Sequence, residues 1–148
     1  MPFIKIWIHL IFSTKNREPF ITKKIKPLLI EHIRKNAKEK GIYIDFINCS
    51  FDHIHILLSM KSDQNISKIA QLIKGESSYW LNKNKLSKMK FEWQEEYLAF
   101  SVSESIAPKV REYIKNQEEH HKKKTFKEEF DLFMKKYGFN GLKPKAVR

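Results

Sequence analysis

Hydrophobic spacing along this chain switches between the period of a strand and that of a helix, and the order of the switches leaves few ways to fold it. Ile4, Ile6, Ile8, Leu10 and Phe12 alternate with Phe3, Lys5, Trp7, His9 and Ile11, so one face is wholly apolar and the other mixed. That is the pattern of a half-covered strand. STKNREP then breaks the alternation with turn-forming residues and Pro19. Ile25, Leu28, Leu29, His32 and Ile33 recur at three- and four-residue spacing, which predicts a helix that Gly41 is placed to end. IYIDFINCS and HIHILLSM read as two strands joined through Ser50 to Asp52, hence as antiparallel neighbours. A second helix is expected from about Ile66 to Leu81, with Ile66, Ile69, Ala70, Ile73, Ser77, Trp80 and Leu81 on one side and Gly75 interrupting it. FEWQEEYLAFSVS carries the aromatic and β-branched residues of a fourth strand. The order β-α-β-β-α-β is that of a ferredoxin-like α+β sandwich, an antiparallel sheet with helices on one face and the other face free.

Further helices follow this unit. One begins near Ser105, with Pro108 tolerated in its first turn, and runs through KVREYIKNQEEHH. Thr125 with Glu128 forms a capping-box pattern before a last helix striped by Phe126, Phe130, Phe133, Met134 and Tyr137. Residues 138–148 are expected to be a mobile basic tail. No repeat or linker divides the chain, and 148 residues make one domain.

Charge and cysteine content narrow the function. Against 29 Lys and Arg stand 17 Asp and Glu, a formal charge of +12 that favours a polyanionic partner such as nucleic acid. A single cysteine, Cys49, excludes an internal disulfide framework and fits a reducing compartment. The apolar start FIKIWIHLIF is too short to span a bilayer and lacks the marks of a secretory signal, so a cytoplasmic protein is expected.

Within FDHIHILLSM, Ile54, Ile56, Leu58 and Met60 share one face of the strand, while His53 and His55 share the other. Two imidazoles at this spacing can reach one metal ion, although a pair of polar residues on a half-exposed face would look the same. The third helix bears on the choice. At 100° per residue Tyr113 and Gln117 lie one turn apart on one face, with His120 near the same line and Val110 and Ile114 as anchors to the sheet. Opposite the histidines they would offer a nucleophile and an amide oxygen as third ligand. Two imidazoles and an amide leave the charge of a divalent ion uncancelled, as Lewis-acid work on a phosphate requires.

Five stretches in order resemble the single-tyrosine HUH transposases of bacterial insertion sequences and their REP-associated relatives. HLIFSTKNREPFI resembles the family's first strand and loop, and DHIHILL its histidine–hydrophobe–histidine strand. IAQLIKGESSYWLN resembles the following helix, FEWQEEYLAFSVSES the next strand, and VREYIKNQEEHH the nucleophile helix. One departure is Glu96 before Tyr97, where the family commonly has Gly. The resemblance covers nearly all of the chain, as one domain over residues 1–148.

The resemblance implies an RRM-like sheet and a DNA transposase or endonuclease. His53, His55 and Gln117 would hold Mg²⁺ or Mn²⁺, and Tyr113 would form a 5′-phosphotyrosine with single-stranded DNA at hairpin-bearing element ends. It also implies a homodimer, with SVSES as a flexible joint if the tyrosine helix is shared between subunits. Lys15, Arg17, Lys74, Arg111 and Lys115 flank the expected site elements and are candidate phosphate contacts. Trp80, Trp93 and Tyr97 are candidates for stacking on bases, with core packing the competing role for Trp93. His9, His120 and His121 are expected to support the site rather than to react. Three other readings remain open: a non-catalytic RRM-like nucleic-acid-binding module, a zinc protein using His53, His55, His120 and His121, and a domesticated relative that cleaves hairpins without moving an element.

Overall fold

The computed structural model describes residues 2–117 and 125–136. His120, His121, Tyr137 and the tail 138–148 lie outside the described residues. So do the side chains of Phe126, Phe130, Phe133 and Met134.

In chain order the elements are β1 (Ile6–Ser13), a single 3-10 turn (Lys15–Arg17), α1 (Ile25–Glu39), β2 (Tyr43–Cys49), β3 (His53–Met60), α2 (Ile66–Lys83), β4 (Leu98–Val102), α3 (Ala107–Lys115) and α4 (Phe126–Lys136). The sheet order is β2-β3-β1-β4, and every pairing is antiparallel. This is the ferredoxin-like arrangement that the order of periodicities predicts.

The apolar parity set becomes the core. Ile8, Leu10 and Phe12 of β1 meet Ile54, Ile56 and Leu58 of β3, and Leu29 and Ile33 of α1 with Ile69, Ile73 and Leu81 of α2 cover them. Fully burying each such side chain contributes about 1.5–3 kcal/mol. Gly41, at φ 75°, carries the chain out of α1 in the left-handed conformation that suits glycine. Asn65 caps α2 by accepting from the Lys68 N–H at 2.9 Å. The helix then runs unbroken through Gly75.

The second face of the sheet is not free. Val110 and Ile114 of α3 pack on it against Trp7, Leu57 and Val102. Three further expectations need adjusting. β1 starts at Ile6 opposite Met60, and Phe3 lies wholly in solvent. β4 is only Leu98–Val102, because the preceding segment is bound elsewhere: Asn82 grips Phe91 through its backbone N–H at 2.7 Å and its carbonyl at 2.9 Å. Trp93 then bridges to Thr14 beyond the end of β1. α3 ends at Lys115, so Gln117 lies past its C-cap, Asn116.

Candidate metal and nucleophile site

The face that carries the odd-numbered residues of β1 and β3 brings His9, Ser13, His53 and His55 together under α3. Ser13 pairs directly with His53, and Ile11 with His55. All four polar side chains are buried, His53 and His55 to 0% exposure. Imidazoles buried this deeply need partners for both nitrogens.

Each ring has its Nδ1 engaged and its Nε2 directed at a common space. His53 Nδ1 lies 2.8 Å from Asp52 Oδ1 and 3.0 Å from Ser50 Oγ. His55 Nδ1 lies 2.8 Å from His9 Nε2. Burial, reinforced by the charge of His55, pushes the pKa of His9 well below its ordinary value. A neutral His9 can therefore accept from the His55 Nδ1–H, which favours the tautomer whose Nε2 can serve as a metal ligand. Burial alone would lower His53, but hydrogen bonds with Asp52 and Glu129 outweigh it and raise the pKa.

The two Nε2 atoms meet Glu129, a residue of α4. Its Oε1 is 2.9 Å from His55 Nε2, and its Oε2 is 3.6 Å from His53 Nε2. Burial opposes the negative charge of Glu129, yet the two histidines overcome it and hold the carboxyl far below the usual range. From the other side Gln117 approaches, its Nε2 3.0 Å from His53 Nε2 and its Oε1 buried with no partner among the described residues. An amide turned through 180° exchanges these atoms and aims the oxygen at the imidazoles.

This donor set fits a divalent cation. Ligand distances of about 2.1 Å around an octahedral ion set neighbouring donors about 3 Å apart. The separations of 2.9 and 3.6 Å between the imidazole nitrogens and the Glu129 oxygens are of that size. His53, His55 and Glu129 form a group that could hold a metal ion, and with its amide turned Gln117 would add an oxygen to it.

Tyr113 completes the cluster. Its ring stands edge-on to His55 at 5.8 Å and to His9 at 6.4 Å, and its hydroxyl donates to Glu129 Oε1. Burial, then the Glu129 charge, raises the phenol's pKa far above its ordinary value. One chain thus brings Tyr113, Gln117, His53 and His55 together; their spacing put each pair on one face, and the packing of α3 brings the two faces to each other. Glu129 was not anticipated. It sits in a charged stretch, FKEEFDLF, that reads as solvated helix surface, and only its position after a Thr125 cap hinted at a defined place.

The candidate phosphate contacts do not form one cluster. Lys15 and Arg17 lie in the 3-10 turn just past Ser13, and Lys15 pairs with Glu92 at 3.3 Å. Lys74 belongs to α2 on the other side of the sheet, where its Nζ donates to the Glu95 carbonyl at 2.6 Å. Arg111 forks onto Asp45, and Lys115 is exposed at the end of α3. Among the aromatic candidates, Trp93 is core, donating to Ser77 Oγ at 2.9 Å. Trp80 stacks on His32 at 4.1 Å and 7°, and Tyr97 packs partly buried beside the core.

The chain is similar in sequence and in fold to known transposases. Residues 3–117 match the family model described as "Transposase IS200 like". The ISDra2 transposase TnpA of Deinococcus radiodurans is 28% identical over 115 residues, spanning 74% of this chain and 81% of its own. The transposase for insertion sequence element IS200 of Salmonella typhimurium is 28% identical over 120 residues, spanning 77% and 78%. The structure of the REP-associated tyrosine transposase bound to a REP hairpin has the same fold, with a TM-score of 0.61 at 17% identity over 82% of this chain and 72% of that one. A crystal structure from Deinococcus radiodurans R1 aligns with a TM-score of 0.64 at 24% identity, over 78% and 93%.

Proposed function

The chain belongs to the IS200-like transposase family, and from that premise we propose that it cleaves and rejoins single-stranded DNA at hairpin-bearing ends through Tyr113. The observation that carries the reading is the convergence of the Tyr113 hydroxyl, two buried imidazole nitrogens and a carboxylate on one space.

His53, His55, Glu129 and the Gln117 amide oxygen are the residues that would hold a divalent ion, Mg²⁺ or Mn²⁺. When bound there, such an ion supplies Lewis-acid polarisation of the scissile phosphate and charge stabilisation for the leaving oxygen. Glu129 adds a negative charge to a ligand set that the sequence suggested would be neutral, which strengthens binding of the ion.

The remaining steps belong to the protein. Glu129 Oε1 accepts the hydrogen bond of the Tyr113 hydroxyl and holds it toward the histidines. The phenolic oxygen attacks phosphorus, the P–O3′ bond breaks, and a 5′-phosphotyrosine with a free 3′-OH results. Attack by a 3′-OH on that linkage rejoins a strand and returns the phenol, so the phosphodiester energy is conserved.

Among the described residues no helix is long and apolar enough to cross a membrane. The resemblance supports a homodimer. Tyr113 stands against His55 of its own chain, and in a homodimer with exchanged helices the partner's tyrosine would take the same place.

The test is a covalent adduct. Incubation with single-stranded hairpin DNA and Mn²⁺ or Mg²⁺ is expected to give a protein–DNA species on a denaturing gel, abolished by chelation and absent in Tyr113→Phe. An adduct that persists in Tyr113→Phe would exclude this nucleophile. Mixing Tyr113→Phe with His53→Ala separates the two architectures, since restored cleavage would require an exchanged helix.

A further inference from the structure

We propose that Arg111, Asp45 and Asn48 form a latch that sets the rotation of the tyrosine helix over the histidines, and that Arg111 acts on that helix rather than on DNA. The inference rests on Tyr113 as nucleophile, and it begins from a defect in β2.

The pairing of β2 with β3 slips between Ile44 and Phe46: Ile44 faces Leu58 and Phe46 faces Leu57, which leaves Asp45 as an extra residue. In a regular strand successive side chains alternate faces, but here Ile44 and Ile47 join the core while Phe46 packs on the α3 side. The bulge lets both Asp45 and Phe46 address α3, the kind of re-aiming that bulges provide beside active sites. Asp45 uses it to take the Arg111 guanidinium in a two-pronged ion pair, Nε to Oδ1 at 2.5 Å and Nη2 to Oδ2 at 2.9 Å.

Three residues further along β2, Asn48 repeats the contact at the end of the helix. Its Nδ2 donates to the Ile114 carbonyl at 2.9 Å, satisfying a helix-terminal acceptor, and its Oδ1 accepts from the Cys49 N–H at 2.9 Å. Asn48 is also the direct cross-strand partner of His55. The end of the tyrosine helix is therefore tied to the residue that sits beside a proposed metal ligand.

The chemistry explains why such a device would be needed. Val110 and Ile114 hold α3 to the sheet by apolar contact, which has no direction and leaves rotation about the helix axis soft. Arg111 and Tyr113 are 200° apart around the helix at 100° per residue, on opposite flanks of that ridge. A planar fork on one flank fixes the angle at which the phenol on the other flank meets the site. With Nε and Nη2 engaged and its charge paired by Asp45, Arg111 has only its Nη1 edge to offer a phosphate.

Four single variants, Arg111→Gln, Arg111→Lys, Asp45→Asn and Asn48→Ala, test this by three measurements. These are hairpin-DNA affinity across a salt series, the adduct-forming rate at saturating DNA, and hydrogen exchange of amides 107–115 without DNA. The latch predicts affinity and salt slope close to wild type in all four. It also predicts a saturated rate reduced roughly 10- to 100-fold, as misplacement by about 1 Å produces, and faster exchange confined to α3. Arg111→Lys should behave like Arg111→Gln, because lysine keeps the charge and loses the fork. The proposal is overturned if Arg111→Lys is near normal while Arg111→Gln weakens binding and lowers the salt slope by about one phosphate, with α3 exchange unchanged. It is also overturned if Asp45→Asn tightens DNA binding, as freeing a phosphate-binding arginine would. A wild-type protein that forms no adduct would count against Tyr113 as nucleophile, and the exchange measurement would still decide whether the latch holds the helix.

Discussion

The Tyr113 hydroxyl donates a hydrogen bond to Oε1 of Glu129, sixteen positions further along the chain and on a different helix. The same oxygen lies 2.9 Å from His55 Nε2. A single carboxylate therefore spans the proposed nucleophile and the proposed metal ligands, and loss of its charge should be felt by both.

Replacing Glu129 by Gln keeps the volume and removes the charge. Mn²⁺ affinity measured by calorimetry should fall at least about 10-fold, the lower end of what even an outer partner of a ligand costs. The phenol of Tyr113 should titrate lower than in wild type by ultraviolet absorbance, since the carboxylate is one cause of its raised pKa, while burial, the larger cause, remains.

His9 should matter without touching metal or DNA. In His9→Phe the packing volume survives but His55 Nδ1 loses its acceptor, and metal affinity is expected to drop roughly 10- to 100-fold. His9→Gln retains an acceptor and should lose less. Equal losses in both variants would show that the acceptor is not what His9 contributes.

Metal binding should strengthen with pH through the neutral range. The His53 pKa is raised, so a proton competes for its ring to higher pH than in free histidine. In the metal-free protein the stabilisation from charged His53 is full below about pH 6.5 and is lost as pH rises through the raised value. His9, with a lowered pKa, stays neutral across that window and does not reverse the trend. The rise in melting temperature on adding Mn²⁺ should therefore be small near pH 6 and larger near pH 8. Calorimetry in buffers of different ionisation enthalpy should detect proton release.

Gly75 offers a check independent of the site. A Cβ built there meets nothing within 4 Å, and the residue lies in the interior of α2. Gly75→Ala should raise unfolding stability by about 0.5–1 kcal/mol in urea titration, because alanine has less backbone freedom to lose. A loss of stability would mean that the backbone at Gly75 needs glycine after all.

What local pattern determined is substantial. Period-two and helical spacing set the order of elements, and with it the sheet and its apolar face; parity alone put His53 and His55 away from the core. Tyr113 and Gln117 could be chosen because helical spacing relates residues close in sequence, and Gln117 reaches the site even though α3 breaks at Asn116 between them. Where the pattern misled, a partner distant in sequence intervened. Asn82 and Thr14 claim the segment before Leu98, which aromatic content alone would make a strand.

Only the tertiary structure decided the rest. Glu129 looks like any glutamate on a charged helix until α4 docks and burial makes two histidines its neighbours. Asp45 becomes a helix clamp through a register slip that no alternation records, and His9 acquires its role from a strand pairing 46 residues away. Spacing along a chain reports which side chains share a face. It carries no information on which faces meet, because packing and desolvation act between segments that the sequence keeps apart.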